Sequence, residues 1–409
     1  MSDGRRDLLF RYADFRRLWL SQSVSMIGNR LATVALAIFA TNLTHSPASV
    51  GLVLAGQTVP LLALLVFGGI VGDRFSRQRV MMTTDLLQTF LYGLLAFLIW
   101  TDAIALWSLV LLSVSFGASE AIFRPASTGL LPQTVPRERL QQAVAATQGS
   151  GNAAWFVGPA LAGLLISGPG PAWPFAINAA SFAWSAVLLA RIGVRPPAED
   201  AEKKTIAADL RDGFEQVRSR RWLWTQLAAH SMVMFAGLAA YDTIGPTLAR
   251  EHFGTSSRFG LVTASLGLGL VLGSLIALRW RPGRLLLANL LALLGWPLLT
   301  GSLSGGAPFA IVLAISFCTG SATALSNAWW ATVIAEQVPP EALARVGAYD
   351  WLCSYAFQPL GLIVFGAAAS VAGPAPAMFA GALIVLTALL YGIASRIRAA
   401  VSLEPEVAP

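Results

Sequence analysis

Long runs of apolar residues, separated by short segments that carry charge, Gly or Pro, dominate this chain. A helix needs about 20 apolar residues to cross a bilayer, so each run is a candidate membrane span. The pattern predicts twelve spans, at 18–41, 48–71, 80–100, 104–130, 142–166, 172–190, 222–248, 259–278, 285–303, 308–333, 344–370 and 375–395. Runs such as 50–71 are apolar on both faces, which excludes the alternating strands of a membrane β-barrel.

The composition also excludes a soluble enzyme. Of 409 residues, 56% are hydrophobic and only 12% are charged, whereas a soluble chain is about one quarter charged. Cys318 and Cys353 lie in apolar runs and are too few for a disulfide framework or a four-ligand zinc site. We therefore expect no cofactor and no metal. The net charge of +7 is compatible with a nucleic-acid partner or with basic residues at the cytoplasmic surface of a membrane. The distribution of the charges along the chain distinguishes these two interpretations.

The basic residues lie almost entirely on one side of the predicted membrane. Both termini and the even-numbered connections hold 24 of the 28 Lys and Arg residues, and the odd-numbered connections hold only Arg250 and Arg258. The positive-inside rule then places both termini in the cytoplasm, which requires an even number of spans. This distribution explains the net charge without nucleic acid. Arginine outnumbers lysine 26 to 2, which is typical of a GC-rich bacterial genome, so we expect a multi-pass protein of the bacterial cytoplasmic (inner) membrane.

The two halves of the chain are related. Segments 131–140 and 334–343, displaced by 203 residues, share Val, Pro, Glu and Leu at matching positions. This repeat predicts two six-helix bundles of the same topology, related by an axis along the membrane normal. We expect an amino-terminal bundle at 1–192, a cytoplasmic linker with an amphipathic helix at 193–221, and a carboxy-terminal bundle with a short tail at 222–409. The alternative for the linker helix is a surface helix that only tethers the halves.

The connection after the second span contains Gly69-Ile-Val-Gly-Asp-Arg-Phe-Ser-Arg-Gln-Arg79, which resembles the cytoplasmic signature loop of the major facilitator superfamily. Segments 28–29, 119–126 and 131–136 resemble most the bacterial efflux branch with macrolide and enterobactin exporters. The resemblance implies an all-α integral membrane fold of twelve transmembrane helices in two pseudo-symmetric six-helix bundles. It also implies a cytoplasmic gate that latches the halves, formed by Gly69, Asp73, Arg74, Arg77 and Arg79. The alternative is a solvated basic loop that only fixes topology.

Ionisable residues inside predicted spans are costly unless paired, so each is a functional candidate. In the first half these are Arg30 in span 1 and Glu120 and Arg124, one turn apart in span 4. Glu120 and Arg124 are spaced to pair with each other, or Glu120 pairs across the cavity with Arg30. We predict that Glu120 gains and loses a proton during a cycle. The alternative is a permanent ion pair that fixes helix rotation.

In the second half, Asp242 and Asp350 are predicted as further protonation or cation sites, with simple solvation at the cavity mouth as the alternative for both. Polar and aromatic residues within spans are predicted to line a substrate cavity, although some of the aromatic residues belong to interface belts or face lipid. The predicted lining residues are Asn29, Arg30, Arg124, Asn152, Trp155, Asn327, Trp330, Tyr355 and Gln358.

The motif inventory favours a transporter over an enzyme. The sequence has no Walker loop, dinucleotide-binding glycine pattern, metal-ligand spacing or nucleophile elbow. We expect a monomeric secondary active transporter that exports a small amphipathic drug, siderophore or natural product in exchange for protons. The alternatives are a proton-coupled uptake symporter and a membrane-embedded transferase. Segment 158–163 resembles the Gly-Pro-x-x-Gly-Gly signature of antiporters in this superfamily but lacks one of its glycines. The direction of transport therefore stays open. A cavity with both signs of charge favours an anionic or zwitterionic substrate.

Overall fold

The computed structural model describes residues 11–193, 221–338 and 355–401. Within these ranges the regular structure is helical, apart from turns and bends. The long helices are α1 (Ala13–Thr44), α2 (Pro47–Arg74), α3 (Arg77–Trp100), α4 (Leu106–Thr134), α5 (Leu140–Ser167), α6 (Trp173–Leu189), α7 (Trp222–Phe253), α8 (Arg258–Ala277), α9 (Leu285–Ser304), α10 (Phe309–Gln337), α11 (Gln358–Ala372) and α12 (Pro374–Val401). A short 3₁₀ helix, Arg137–Arg139, precedes α5.

Each predicted span corresponds to one of these helices. Ten are long and apolar enough to cross a membrane by length and composition, and α6 and α11 are shorter apolar helices. Helix α7 contains a π-helical segment, Val233–Leu238, and α9 is interrupted at Leu294. The first part of predicted span 11 and most of the predicted linker at 193–221 lie outside the described residues.

The helices pack in the same order in both halves. In the first half α1 packs on α5, α2 on α4 and α3 on α6; in the second, α7 packs on α11, α8 on α10 and α9 on α12. Each pairing recurs six helices later, which confirms the predicted fold of two pseudo-symmetric six-helix bundles. Large apolar side chains such as Phe90, Trp107 and Val371 are more than half exposed on the outside of the bundles, as expected for a surface in contact with lipid.

The two bundles meet along two helix pairs, α5 with α8 and α2 with α11. Glycines permit the close approach in both pairs. A Cβ atom on Gly260 of α8 would lie 2.8 Å from the carbonyl oxygen of Pro159 on α5, and a Cβ on Gly366 of α11 would lie 3.0 Å from the carbonyl oxygen of Pro47. Backbone contact between helices of this kind requires small residues.

We call the side with the connections α1–α2, α3–α4 and α5–α6 the outer face. Hydrogen bonds between the bundles occur here. The guanidinium nitrogen Nη1 of Arg250 lies 2.7 Å from Nδ1 of His45, and the hydroxyl of Ser256 donates to Oδ1 of Asn42 at 2.7 Å. The bundles are therefore joined at their outer ends.

Candidate functional site

Arg30 lies on α1 and faces α5, where it stacks on Trp155. The guanidinium carbon is 3.6 Å from the centroid of the Trp155 ring, which is the geometry of a cation–π contact. Gly158 lies one turn after Trp155, and a Cβ there would lie 2.6 Å from Cβ of Arg30. The absence of a side chain at Gly158 thus allows α1 and α5 to bring these two predicted cavity residues together.

Glu120 and Arg124 form an ion pair along one face of α4. Both Nε and Nη2 of Arg124 donate to Oε1 of Glu120, at 3.0 and 2.7 Å. The side chains are 25% and 42% exposed, respectively, so the pair borders open space rather than the packed interior. Within the described part of the chain, Oε2 of Glu120 accepts no hydrogen bond. Of the two predicted pairings, the structure shows the one between Glu120 and Arg124.

Two residues of the second bundle approach this charged group. Asp242 on α7 is partly exposed and interacts electrostatically with Arg30. Tyr355, immediately before α11, lies within electrostatic range of both Arg30 and Arg124. The charged cluster therefore comprises Arg30, Glu120 and Arg124 from one bundle and Asp242 and Tyr355 from the other. Its formal charges, two positive and two negative, balance.

Asn29 connects α1 to α6 beside the cluster. Its Oδ1 accepts a long hydrogen bond, 3.5 Å, from Nδ2 of Asn178, and the hydroxyl of Ser181 donates to Oδ1 of Asn178 at 3.1 Å. A Cβ on Gly28 would collide with both Asn178 and Ser181. Sequence reasoning missed Asn178, although a single amide in an otherwise apolar span was the signal that identifies it.

Tyr92 of α3 was also missed. It is 4% exposed and stacks on Phe116 at a centroid distance of 4.0 Å and on Phe182 at 5.8 Å. It lies within electrostatic range of Glu120. This aromatic stack supports the side of α4 that carries the ion pair.

The structure does not bring every predicted cavity residue to the charged cluster. Asn152 donates to Ser274 of α8 at 3.3 Å and so links the two bundles. Trp330 packs edge to face on Trp222, at a centroid distance of 6.1 Å. Trp222 lies about 30 Å along α7 from Asp242. For two further residues the lining role remains a prediction. Asn327 is exposed on α10, and Gln358 is the first residue of α11.

The predicted cytoplasmic gate is described in part. Nη1 of Arg77 donates to the carbonyl oxygen of Gly129 on α4 at 2.5 Å, and its guanidinium occupies the space that a side chain at Gly129 would need. Arg74 and Arg79 are exposed. Gly69 and Asp73 belong to the last two turns of α2. The side chain of Asp73 and the whole of Asp350 lie outside the described residues, so the gate and the third protonation site remain predictions.

No group of three His, Cys, Asp or Glu side chains is arranged to hold a metal ion within the ranges that the structure describes. The site instead consists of charged, amide and aromatic side chains at the junction of two bundles. Two six-helix membrane bundles with a partly exposed charged cluster between them define a membrane transporter. The model of the Major Facilitator Superfamily matches residues 18–361, and the chain belongs to this family.

Similar proteins include efflux-type transporters of bacteria. The chain is 29% identical to the MFS-type transporter YfiS of Bacillus subtilis, over 80% of each chain. It is 22% identical to Macrolide efflux protein A of Streptococcus pyogenes, over 86% of this chain and 88% of that protein. It is 25% identical to the Enterobactin exporter EntS of Escherichia coli, over 83% of this chain and 81% of the exporter.

The fold is similar to those of solved transporters. A variant of the nucleoside transporter NupG superposes with a TM-score of 0.75 at 16% identity, over 93% of this chain and 99% of that one. A bacterial homolog of the lysosomal transporter Spinster gives a TM-score of 0.69 at 15% identity, over 96% and 97% of the two chains. The protein is thus a multi-pass membrane transporter of small molecules and not an enzyme.

Proposed function

We propose that this transporter exports a small amphipathic molecule in exchange for protons, by alternating access of its two bundles to the two sides of the membrane. The observation that carries the proposal is the charged cluster that both bundles supply around Glu120. Sequence similarity to a macrolide efflux protein, at 22% identity, and to an enterobactin exporter, at 25% identity, supports export. A molecule with an acidic group and a hydrogen-bond donor suits the cluster best.

Glu120 is the proposed site of exchange between proton and substrate. Nε and Nη2 of Arg124 both donate to one carboxylate oxygen, Oε1, so Oε2 remains available for a proton or for a donor group of the substrate. A carboxylate oxygen that has accepted a proton no longer accepts the substrate's hydrogen bond at that position. Substrate and proton therefore compete for Oε2, and competition for one site is what couples their opposite movement.

The two arginines are proposed to bind the acidic group of the substrate. The guanidinium carbon of Arg30 lies 3.6 Å from the centroid of the Trp155 ring, and we propose that the guanidinium nitrogens bind a planar acidic group. Trp155 adds apolar area for the hydrophobic part of the substrate. Asp242 and Tyr355 approach Arg30 from the second bundle, so movement of that bundle alters the charge around Arg30. Binding is thereby connected to the relative position of the bundles.

The remaining assignments complete the proposal. We place the protein in the bacterial inner membrane with both termini in the cytoplasm, because basic residues concentrate on the side of the termini. Bundles at 1–192 and 222–409 rock about the α5–α8 and α2–α11 contacts, with membrane lipid around them and one chain as the working unit. The segment from Gly69 to Arg79 closes the cytoplasmic side.

The test is transport by purified protein in vesicles of defined orientation with an imposed pH gradient, with enterobactin and a macrolide as substrates. In inside-out vesicles with an acidic lumen, we expect the substrate to accumulate and protons to leave the lumen. Accumulation only in right-side-out vesicles with an acidic exterior identifies the uptake symporter instead. Transport that ignores the pH gradient in both orientations contradicts proton coupling.

A further inference from the structure

A buried carboxyl group lies outside the charged cluster. Asp85 is in α3, about 12 Å from the start of that helix at Arg77, and it is 0% exposed. Neither of its carboxylate oxygens has a hydrogen-bond partner among the described residues. Burial of an unpaired carboxylate costs several kcal/mol within a membrane protein. A residue with this cost and no visible packing role requires a separate explanation.

The helix register brings hydroxyl groups to this carboxyl. Nε2 of Gln88, one turn outward on α3, donates to the carbonyl oxygen of Phe116 on α4 at 3.3 Å. Because α3 and α4 are antiparallel, one turn inward from this bond Ser119 lies opposite Asp85. On α6, the hydroxyl of Ser185 lies beside the carboxyl without completing a hydrogen bond.

The junction of α3, α4 and α6 thus forms a buried polar pocket. The hydroxyls of Ser119 and Ser185 and Oε1 of Gln88 are, like the Asp85 oxygens, buried without a partner among the described residues. Charged residues on the adjoining helices are occupied elsewhere. On α4 these are Glu120 and Arg124, paired with each other; α6 carries none; and on α3 Arg77 bonds to Gly129 while Arg79 is exposed.

The second bundle joins the corresponding helices without an acid. Asn289 is a buried amide of α9, the counterpart of α3, and it faces α10, the counterpart of α4. It is 4% exposed, and its Nδ2 donates to the carbonyl oxygen of Ser326 at 2.8 Å and to the Ser326 hydroxyl at 2.9 Å. A neutral amide therefore satisfies the helix pair there. The acid in the first bundle is not required to join the helices.

We propose that Asp85 is a second proton-binding site, in the pocket between α3, α4 and α6. The protonated carboxyl donates to an oxygen of Ser119, Ser185 or Gln88, and each of these is an unused acceptor. Deprotonation leaves a buried carboxylate whose neighbouring donors are neutral hydroxyl and amide groups, so the proton leaves when the helices separate enough for water to enter. This inference rests on the proposed proton coupling, to which it adds a second titrating group.

The first test does not depend on transport. Infrared difference spectra of the purified protein, recorded between pH 5 and pH 8, report the carbonyl stretch of protonated carboxyl groups. We expect one titrating band to disappear in Asp85→Asn, persist in Glu120→Gln and persist in Asn289→Ala, a control in the corresponding helix of the second bundle. Asp85→Glu restores a titrating carboxyl if the pocket is intact, and a thermal unfolding scan identifies variants that fail to fold. A spectrum unchanged by Asp85→Asn overturns the proposal, and so does a band that shifts on addition of Na⁺ but not on a change of pH.

The second test measures coupling. In inside-out vesicles, Asp85→Asn is expected to lower accumulation driven by the pH gradient about tenfold, while exchange of labelled for unlabelled substrate without a gradient continues. Undiminished gradient-driven accumulation in Asp85→Asn contradicts a role in coupling. If the Asp85 band titrates but the wild-type protein ignores the pH gradient, the proposed function fails and the proton site stands.

Discussion

The two bundles share their packing but differ in the chemistry of equivalent positions. Helices α4 and α10 have the same length and are displaced by 203 residues. At this displacement, Thr323 is the equivalent of Glu120 and Asn327 is the equivalent of Arg124. Thr323 donates to the carbonyl oxygen of Thr319 within its own helix at 2.8 Å, whereas Glu120 and Arg124 form an ion pair. A neutral helix therefore fits the fold at this place.

The same contrast holds for two other helix pairs. Helix α3 carries the unpaired carboxyl of Asp85, whereas its counterpart α9 carries a buried amide, Asn289, whose Nδ2 donates to Ser326. Trp155 in α5 makes the cation–π contact with Arg30. Its equivalent in α11, displaced by 203 residues, is Gln358. The first bundle concentrates the ionisable groups, and the second contributes Asp242 and Tyr355 at the border. Charges that packing does not need are the best guide to function in a duplicated fold.

The largest expected effect follows from removing the charge at Glu120. Glu120→Gln keeps the shape of the side chain but cannot exchange a proton near neutral pH. We expect accumulation driven by a pH gradient to fall about 100-fold. The measurement is uptake of labelled substrate into inside-out vesicles at fixed protein density.

Thr323→Val in the equivalent position of α10 is the matched control. It removes a hydroxyl whose only described bond is within its own helix, so accumulation is expected to remain within about twofold of wild type. Equal losses in the two variants would show that the bundles contribute alike and would contradict the assignment of coupling to the first bundle.

A smaller effect is expected when the ring below Arg30 is removed. Trp155→Leu retains apolar volume but removes the cation–π contact, which is worth up to about 2 kcal/mol when desolvated. The guanidinium then loses its fixed orientation, and substrate affinity is expected to fall about tenfold. Equilibrium binding of labelled substrate to the purified protein measures this directly.

Gln358→Leu provides the comparison in the second bundle. The two variants place the same side chain at corresponding positions of α5 and α11. We expect the affinity of Gln358→Leu to change less than that of Trp155→Leu. The reverse order would indicate that the substrate sits against the second bundle.

Sequence reasoning recovered the helices and the local pair but not the contacts between distant helices. Span length and the four-residue spacing of Glu120 and Arg124 are local properties, so hydropathy and helix geometry suffice to predict them. The pocket around Asp85 depends on the antiparallel register of α3, α4 and α6, which no local pattern specifies. For the same reason Trp330, predicted to line the cavity, packs on Trp222 at the inner end of α7.

The smallest expected effect concerns the outer face, where the bundles touch through Arg250 and His45. Nη1 of Arg250 lies 2.7 Å from Nδ1 of His45, so Nδ1 accepts this hydrogen bond only while it carries no proton. The contact is exposed, and exposed pairs contribute at most about 1 kcal/mol. Arg250→Gln is expected to open the outer end only slightly more often, by a factor of about five at most.

Arg258→Gln is the matched control for this contact. It removes the same charge from the same face, but the Arg258 guanidinium lies 5.4 Å from the ring of Phe309 in its own bundle and does not reach across.

The readout is the rate of maleimide labelling at Ala48→Cys, beside Gly366 of α11, in a background with Cys318→Ser and Cys353→Ser. Faster labelling in Arg250→Gln alone supports a contact that holds the bundles together. Equal rates in Arg250→Gln and Arg258→Gln would mean that the outer closure depends on the apolar contacts of α2 with α11 and of α5 with α8.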